Sequence, residues 1–119
     1  MATQSNVGQA PVNLAASAAD TVLLAAAGTN NRQAVTGFVV FNTTTSTSLI
    51  INIYESPNTT SASGKKVASY TIPGNSSVQV VECIGQGYAA GQNIIGVQTT
   101  GSAGDLNAKL TTTQYTAGS

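Results

Sequence analysis

The chain has 119 residues, of which only 4 are Lys or Arg, 4 are Asp or Glu and none is His, so its formal net charge is zero. Charged residues make up 7%, far below the ~25% of an ordinary globular protein, while the hydrophobic share of 41% is normal. This composition predicts one folded domain with a neutral surface rich in Ser and Thr, and it argues against nucleic acid, metal and membrane as partners: the cations Arg32, Lys65, Lys66 and Lys109 are few and scattered, His is absent and the four carboxylates are spread through the chain, and no apolar run approaches a membrane span.

Residues 1–13, polar and small and broken by Pro11, read as an N-terminal arm that orders by lying on a neighbour. The opening MATQSNVGQA lacks the basic and apolar regions of a signal peptide, which predicts a chain made in the cytoplasm, and the lone Cys83 agrees with a reducing site of folding. From residue 14 to residue 115, short apolar runs alternate with Gly, Asn, Ser and Thr clusters. That spacing predicts an all-β domain, a single antiparallel β-sandwich or jelly roll of about seven to eight strands.

In chain order, Asp20–Ala26 is the first candidate strand, with Val22 and Leu24 on one face, and residues 28–31 supply a turn. The Ala-rich segment 14–19 before it allows a helical turn. Val35–Asn42 is apolar on both faces, Val35, Val39 and Phe41 opposite Phe38 and Val40, which predicts a central strand covered on both sides. Leu49–Glu55 alternates Leu49, Ile51 and Ile53 against Ile50, Asn52 and Tyr54, and Pro57 ends it.

Residues 58–64 form a polar loop. Val67–Ile72 and Ser77–Ile84, joined by Pro73-Gly74-Asn75, read as a hairpin with Val78 and Val80 inward. After the glycine-rich connection 85–93, Asn93–Thr99 and Leu106–Thr112 form a last pair around Gly101–Gly104, in which Leu106, Ala108 and Leu110 alternate with Asn107, Lys109 and Thr111. Residues 116–119 read as a flexible tail.

Candidate sites are sparse. Ser or Cys nucleophiles need a base, usually His, and Cys83 lies in a hydrophobic strand where a thiol is an inert filler. Glu55 and Glu82 both fall near strand ends, but nothing in their spacing brings them to the separation glycoside hydrolysis requires. The stretch from Gly85 to Gly91 differs from a dinucleotide loop in that its third Gly is one residue late and a strand, not a helix, follows. No catalytic residue, cofactor or metal is expected. The sequence has no Trp, and Tyr88, in its glycine-rich surroundings, is the aromatic expected to be exposed. With Gln4, Val7 and Pro11 of the arm it makes up the expected interface set.

The segments AADTVLLAAAGTNNRQAVTGFVVFNTT, SLIINIYESP, ASYTIPGNSSVQVV, GYAAGQNIIGVQTTG and DLNAKLTTTQY, in that order, resemble small β-sandwich virion proteins of tailed phages, most of all head decoration or cement proteins. The resemblance covers roughly residues 14–115. It implies a non-enzymatic protein on the outer capsid surface of the virion that bridges capsomers by binding the major capsid protein. A near-zero net charge adds the expectation of a homo-oligomer, dimer or trimer. The alternatives are a glycan- or host-surface-binding module of a head or tail fibre, suggested by the polar loops around Asn58 and Tyr88, and a tail or head-completion subunit.

Overall fold

A computed structural model describes residues 3–8, 10–28, 31–85, 87–88 and 91–116, with backbone alone for 3–8 and 116. The turn expected at 28–31 and the tail at 116–119 fall partly outside that set. Ten strands are present among the described residues: β1 (Thr3–Gly8), β2 (Val12–Asn13), β3 (Thr21–Leu24), β4 (Asn31–Asn42), β5 (Leu49–Ser56), β6 (Lys65–Ile72), β7 (Ser77–Gln79), β8 (Gly87–Tyr88), β9 (Asn93–Gln98) and β10 (Leu106–Thr116). The only helical element described is a short 3-10 turn, Ser61–Ser63. The chain is an antiparallel β-sandwich.

Sheet A runs β1-β10-β4-β7, with β2 also on β10 and β8 also on β4; sheet B runs β3-β9-β5-β6. Alternating side chains from both sheets meet between them. From sheet A come Val35, Phe38 and Val40 of β4, then Leu106, Ala108 and Leu110 of β10; from sheet B come Leu49, Ile51 and Ile53 of β5, Ile72 of β6 and Ile94 of β9. Leu14 joins them. It lies in an irregular segment, and its amide donates to the Leu106 carbonyl at 2.9 Å. The helical turn allowed at 14–19 does not form; the chain makes a tight turn there with Ala18 at φ 65°.

Two expected pairings are corrected. The segments on either side of Pro73-Gly74-Asn75 are not a hairpin, because β6 bonds to β5 in sheet B while β7 bonds to β4 in sheet A. Likewise β9 and β10 belong to opposite sheets. In both cases the connecting turn carries the chain across the sandwich, so each strand buries its apolar side without pairing to its neighbour in sequence. Among the described residues only β5 and β6 form a hairpin of consecutive long strands.

Buried amides fasten the connections. Asn42, fully buried, donates from Nδ2 to the carbonyls of Thr47 and Ile72, both at 2.8 Å, and accepts at Oδ1 from the amide and hydroxyl of Thr44. Asn93 accepts from the Ala26 amide at 2.8 Å, and Gln98 donates to the Ala15 and Ser102 carbonyls. Each satisfies loop groups that burial would otherwise leave without water.

Candidate interaction face

A β-bulge decides which side of β4 faces out. Gly37 pairs with Thr111 and Val35 with Thr112, so Thr36 is the extra residue, and its hydroxyl donates to the Thr111 carbonyl at 3.2 Å. The shift turns Val35 inward with Phe38 and Val40, while Val39 and Phe41 point away from the core. The expectation that β4 is covered on both faces is therefore corrected. Val39 is 41% exposed and Phe41 38%, because no part of the described chain lies over the outer face of sheet A.

Register places the neighbours on that face. Val39 stands between Gln79 of β7 and Lys109 of β10, and Phe41 between Ser77 and Asn107. Val81, in the turn that follows β7, is 59% exposed. Beside Val39 the missing side chain of Gly37 leaves an apolar depression of about 320 Å³, lined also by Phe38, Lys109 and Thr111. A Cβ at Gly37 would come within 2.5 Å of the Thr111 hydroxyl, so glycine keeps the depression open.

The outer face of sheet B is different. The loop after β5 folds back so that the amide and hydroxyl of Ser61 donate to the two carboxylate oxygens of Asp20, at 3.1 and 2.5 Å, and its 3-10 turn packs on β5, β6 and β9. Beneath it Ile95, which shares the outer side with Tyr54, is fully buried. Sheet B thus covers Ile95 but leaves Ile50 39% exposed, whereas on sheet A Val39 and Phe41 stand in water together.

The expected interface residues separate. Pro11 is exposed. Gln4 and Val7 lie in β1, whose backbone pairs with β10 opposite Tyr115 and Thr112; their side chains are outside the described residues. Tyr88 is a correction, being only 3% exposed. Strand β8 pairs with β4 through Gln33↔Tyr88, which turns the ring inward, where its hydroxyl donates to Glu55 Oε2 at 2.6 Å. Burial and that hydrogen bond raise the phenol far above its ordinary value. Burial likewise raises the pKa of Cys83, which is fully buried and hydrogen-bonded to Tyr88.

All four carboxylates take hydrogen bonds from neutral donors: Asp20 from Ser61, Glu55 from Tyr88, Glu82 from the Tyr70 hydroxyl and Asp105 from the Ser102 amide. Among the described residues no group of three or more His, Cys, Asp or Glu is placed to hold a metal. The exposed face of β4 was missed in the sequence because the bulge that turns it carries no local signal apart from Gly37.

No protein-family profile and no curated protein matches the chain. Among solved structures it is similar to a Bacillus endospore appendage protein, from appendages that form a family of disulfide-linked pili, with a TM-score of 0.52, 18% identity, and coverage of 98% of this chain and 89% of that one. It is also similar to infectious bursal disease virus Gx strain (TM-score 0.44, 17% identity, 99% and 33% covered) and to the VP2 subviral particle of infectious bursal disease virus (TM-score 0.40, 13% identity, 98% and 33% covered). The chain spans about a third of those viral chains. At 18% identity the first likeness speaks for the fold alone, and the two viral ones, with lower scores, bear no weight.

Proposed function

We propose that this chain is a non-enzymatic structural subunit that decorates a phage capsid, binding the major capsid protein across capsomer boundaries through the outer face of sheet A. The observation that carries this reading is the exposure of Val39 and Phe41 on the outer side of β4, with an apolar depression beside Val39 and Val81 exposed in the turn after β7, on a molecule with only 7% charged residues. Apolar surface left in water on a central strand gains free energy when a partner covers it, at about 25 cal/mol per Å². Many weak contacts of this kind, repeated by the symmetry of a shell, add to a strong lattice without chemistry. The resemblance of the segment order to small virion proteins supports the shell as partner, and the engaged carboxylates support a role without catalysis. The protein acts on the outside of the virion, as a dimer or trimer.

The experiment is sedimentation with shells. Purified protein mixed with undecorated capsids is expected to pellet with them at a fixed ratio, and the double variant Val39→Ser/Phe41→Ser to stay in the supernatant. Wild-type protein that stays in the supernatant contradicts capsid decoration. A second reading, a homopolymeric fibre, is favoured by the pilus protein of which this fold covers 89%. Cys83, the single and fully buried cysteine, gives such a fibre no disulfide linkage, so it would rest on packing and strand pairing. Concentration-dependent filaments of the pure chain, unaffected by reductant, would favour it.

A further inference from the structure

A second site lies at the other end of β4, on the same outer side of sheet A as Val39 and Phe41 but with none of their residues in its lining. Arg32 and Tyr115 stand directly opposite each other in the β4–β10 register, and both are exposed. Such cross-strand neighbours have Cβ atoms about 5 Å apart, so a guanidinium and a phenol ring rise side by side. Next to them Ala34 pairs with Gly87, giving small residues where side chains would otherwise fill the space. Gly85, held in a left-handed conformation at φ 83°, donates its amide to the Val35 carbonyl at 2.8 Å and closes the border. Arg32, Gln33, Ala34, Gly85, Gly87 and Tyr115 together line an open cavity of about 510 Å³.

Charge pairing within the chain points to what the cavity accepts. All four carboxylates are engaged by Ser, Tyr or backbone donors, so none of them neutralises a cation through those bonds. Arg32, by contrast, has no hydrogen-bonding or ionic partner among the described residues. Among the described residues, then, each acid has a hydrogen-bonding partner and this guanidinium has none. Its planar fork matches a carboxylate through two parallel hydrogen bonds. The volume exceeds what a lone carboxylate needs and falls in the range of sites for small molecules, about 300–1,000 Å³. A ring lying on the small residues Ala34 and Gly87 would reach Tyr115 with its apolar side and Arg32 with its acid.

We propose that this cavity binds a carboxylate-bearing sugar unit, such as a uronic or sialic acid residue of a surface polysaccharide, with Arg32 holding the carboxylate and Tyr115 lying against the ring. The site does not depend on the capsid reading, since it shares no residue with the face around Val39 and Phe41.

The test is titration of the isotopically labelled full chain with glucuronic, galacturonic and N-acetylneuraminic acid, with glucose and galactose as neutral counterparts, followed by amide shifts at Ala34, Gly85 and Gly87. At least one acid is expected to shift these amides, with the neutral sugars about tenfold weaker or more. Arg32→Gln is expected to weaken binding about tenfold or more, and Arg32→Lys less so, because a point charge keeps the attraction without the fork. Gly87→Phe is expected to abolish binding by filling the cavity, starting from a position where a Cβ meets nothing within 4 Å. Unchanged thermal midpoints confirm that the variants are folded. Binding of neutral sugars as tight as that of acids, wild-type affinity in Arg32→Gln, no shift with any acid, or tighter binding of a glutamate-containing tripeptide than of every sugar would each overturn the assignment.

Discussion

Tyr88 joins the two sheets at a single hydrogen bond, and its ionisation makes that bond measurable. Its phenol ionises near 10.0 in an unfolded chain and is held higher in the fold, first by burial and then by Glu55. Above about pH 10 the unfolded chain therefore sheds its proton while the folded chain keeps it. The stabilisation is complete below that pH and is lost as pH rises, by up to about 1.4 kcal/mol per pH unit for each such group. Tyr70, raised by burial and by its bond to Glu82, acts in the same direction. Urea unfolding is expected to show wild-type stability falling between about pH 9 and pH 11. Tyr88→Phe is expected to be about 1 kcal/mol less stable at neutral pH, with a shallower fall. Equal slopes in the two proteins would contradict the assignment. The inward turn of Tyr88 was illegible in the sequence because its partner lies 33 residues away and its glycine neighbours look like a surface loop.

At the scale of the elements, alternation was legible wherever a strand keeps a constant period. Leu49, Ile51 and Ile53 face the core as their spacing predicts, and so do Leu106, Ala108 and Leu110. Alternation failed at β4, where one inserted residue, Thr36, exchanges the faces on either side of it. Pairing partners were not legible: both pairs read from the sequence lie in opposite sheets, and the β5–β6 pairing went unread, because periodicity records which side of a strand is buried and not which strand lies beside it. The crossover after β6 rests on a close contact instead. At Gly74 a Cβ would lie 2.6 Å from the Ser46 amide nitrogen and 2.7 Å from its Cα, both backbone atoms that cannot swing aside. Gly74→Ala is expected to cost about 1–3 kcal/mol in chemical denaturation. Gly87→Ala, whose Cβ meets nothing within 4 Å, is expected to be nearly neutral. Equal effects of the two would remove the close approach of the 43–48 and 73–76 turns as a determinant of the crossover.

Across the whole molecule the two sheets differ in how they treat their outer sides. Sheet B folds a loop over Ile95 and fastens it to Asp20, whereas sheet A presents Val39 and Phe41 on one strand with an unfilled depression beside Val39. Low charge on the chain as a whole was evident from composition, and with it the suitability for packing against protein. Which face does the packing was not, since it follows from one bulge and one folded loop. The most direct measurement is hydroxyl-radical footprinting of the isolated protein and of the protein in its native assembly. Covered sheet A predicts that labelling of Phe41, Val39 and Val81 falls about tenfold on assembly while that of Ile50, 39% exposed on the opposite sheet, changes little. Undiminished labelling of Phe41 in the assembled state would contradict the claim that this face is where the molecule meets its partner.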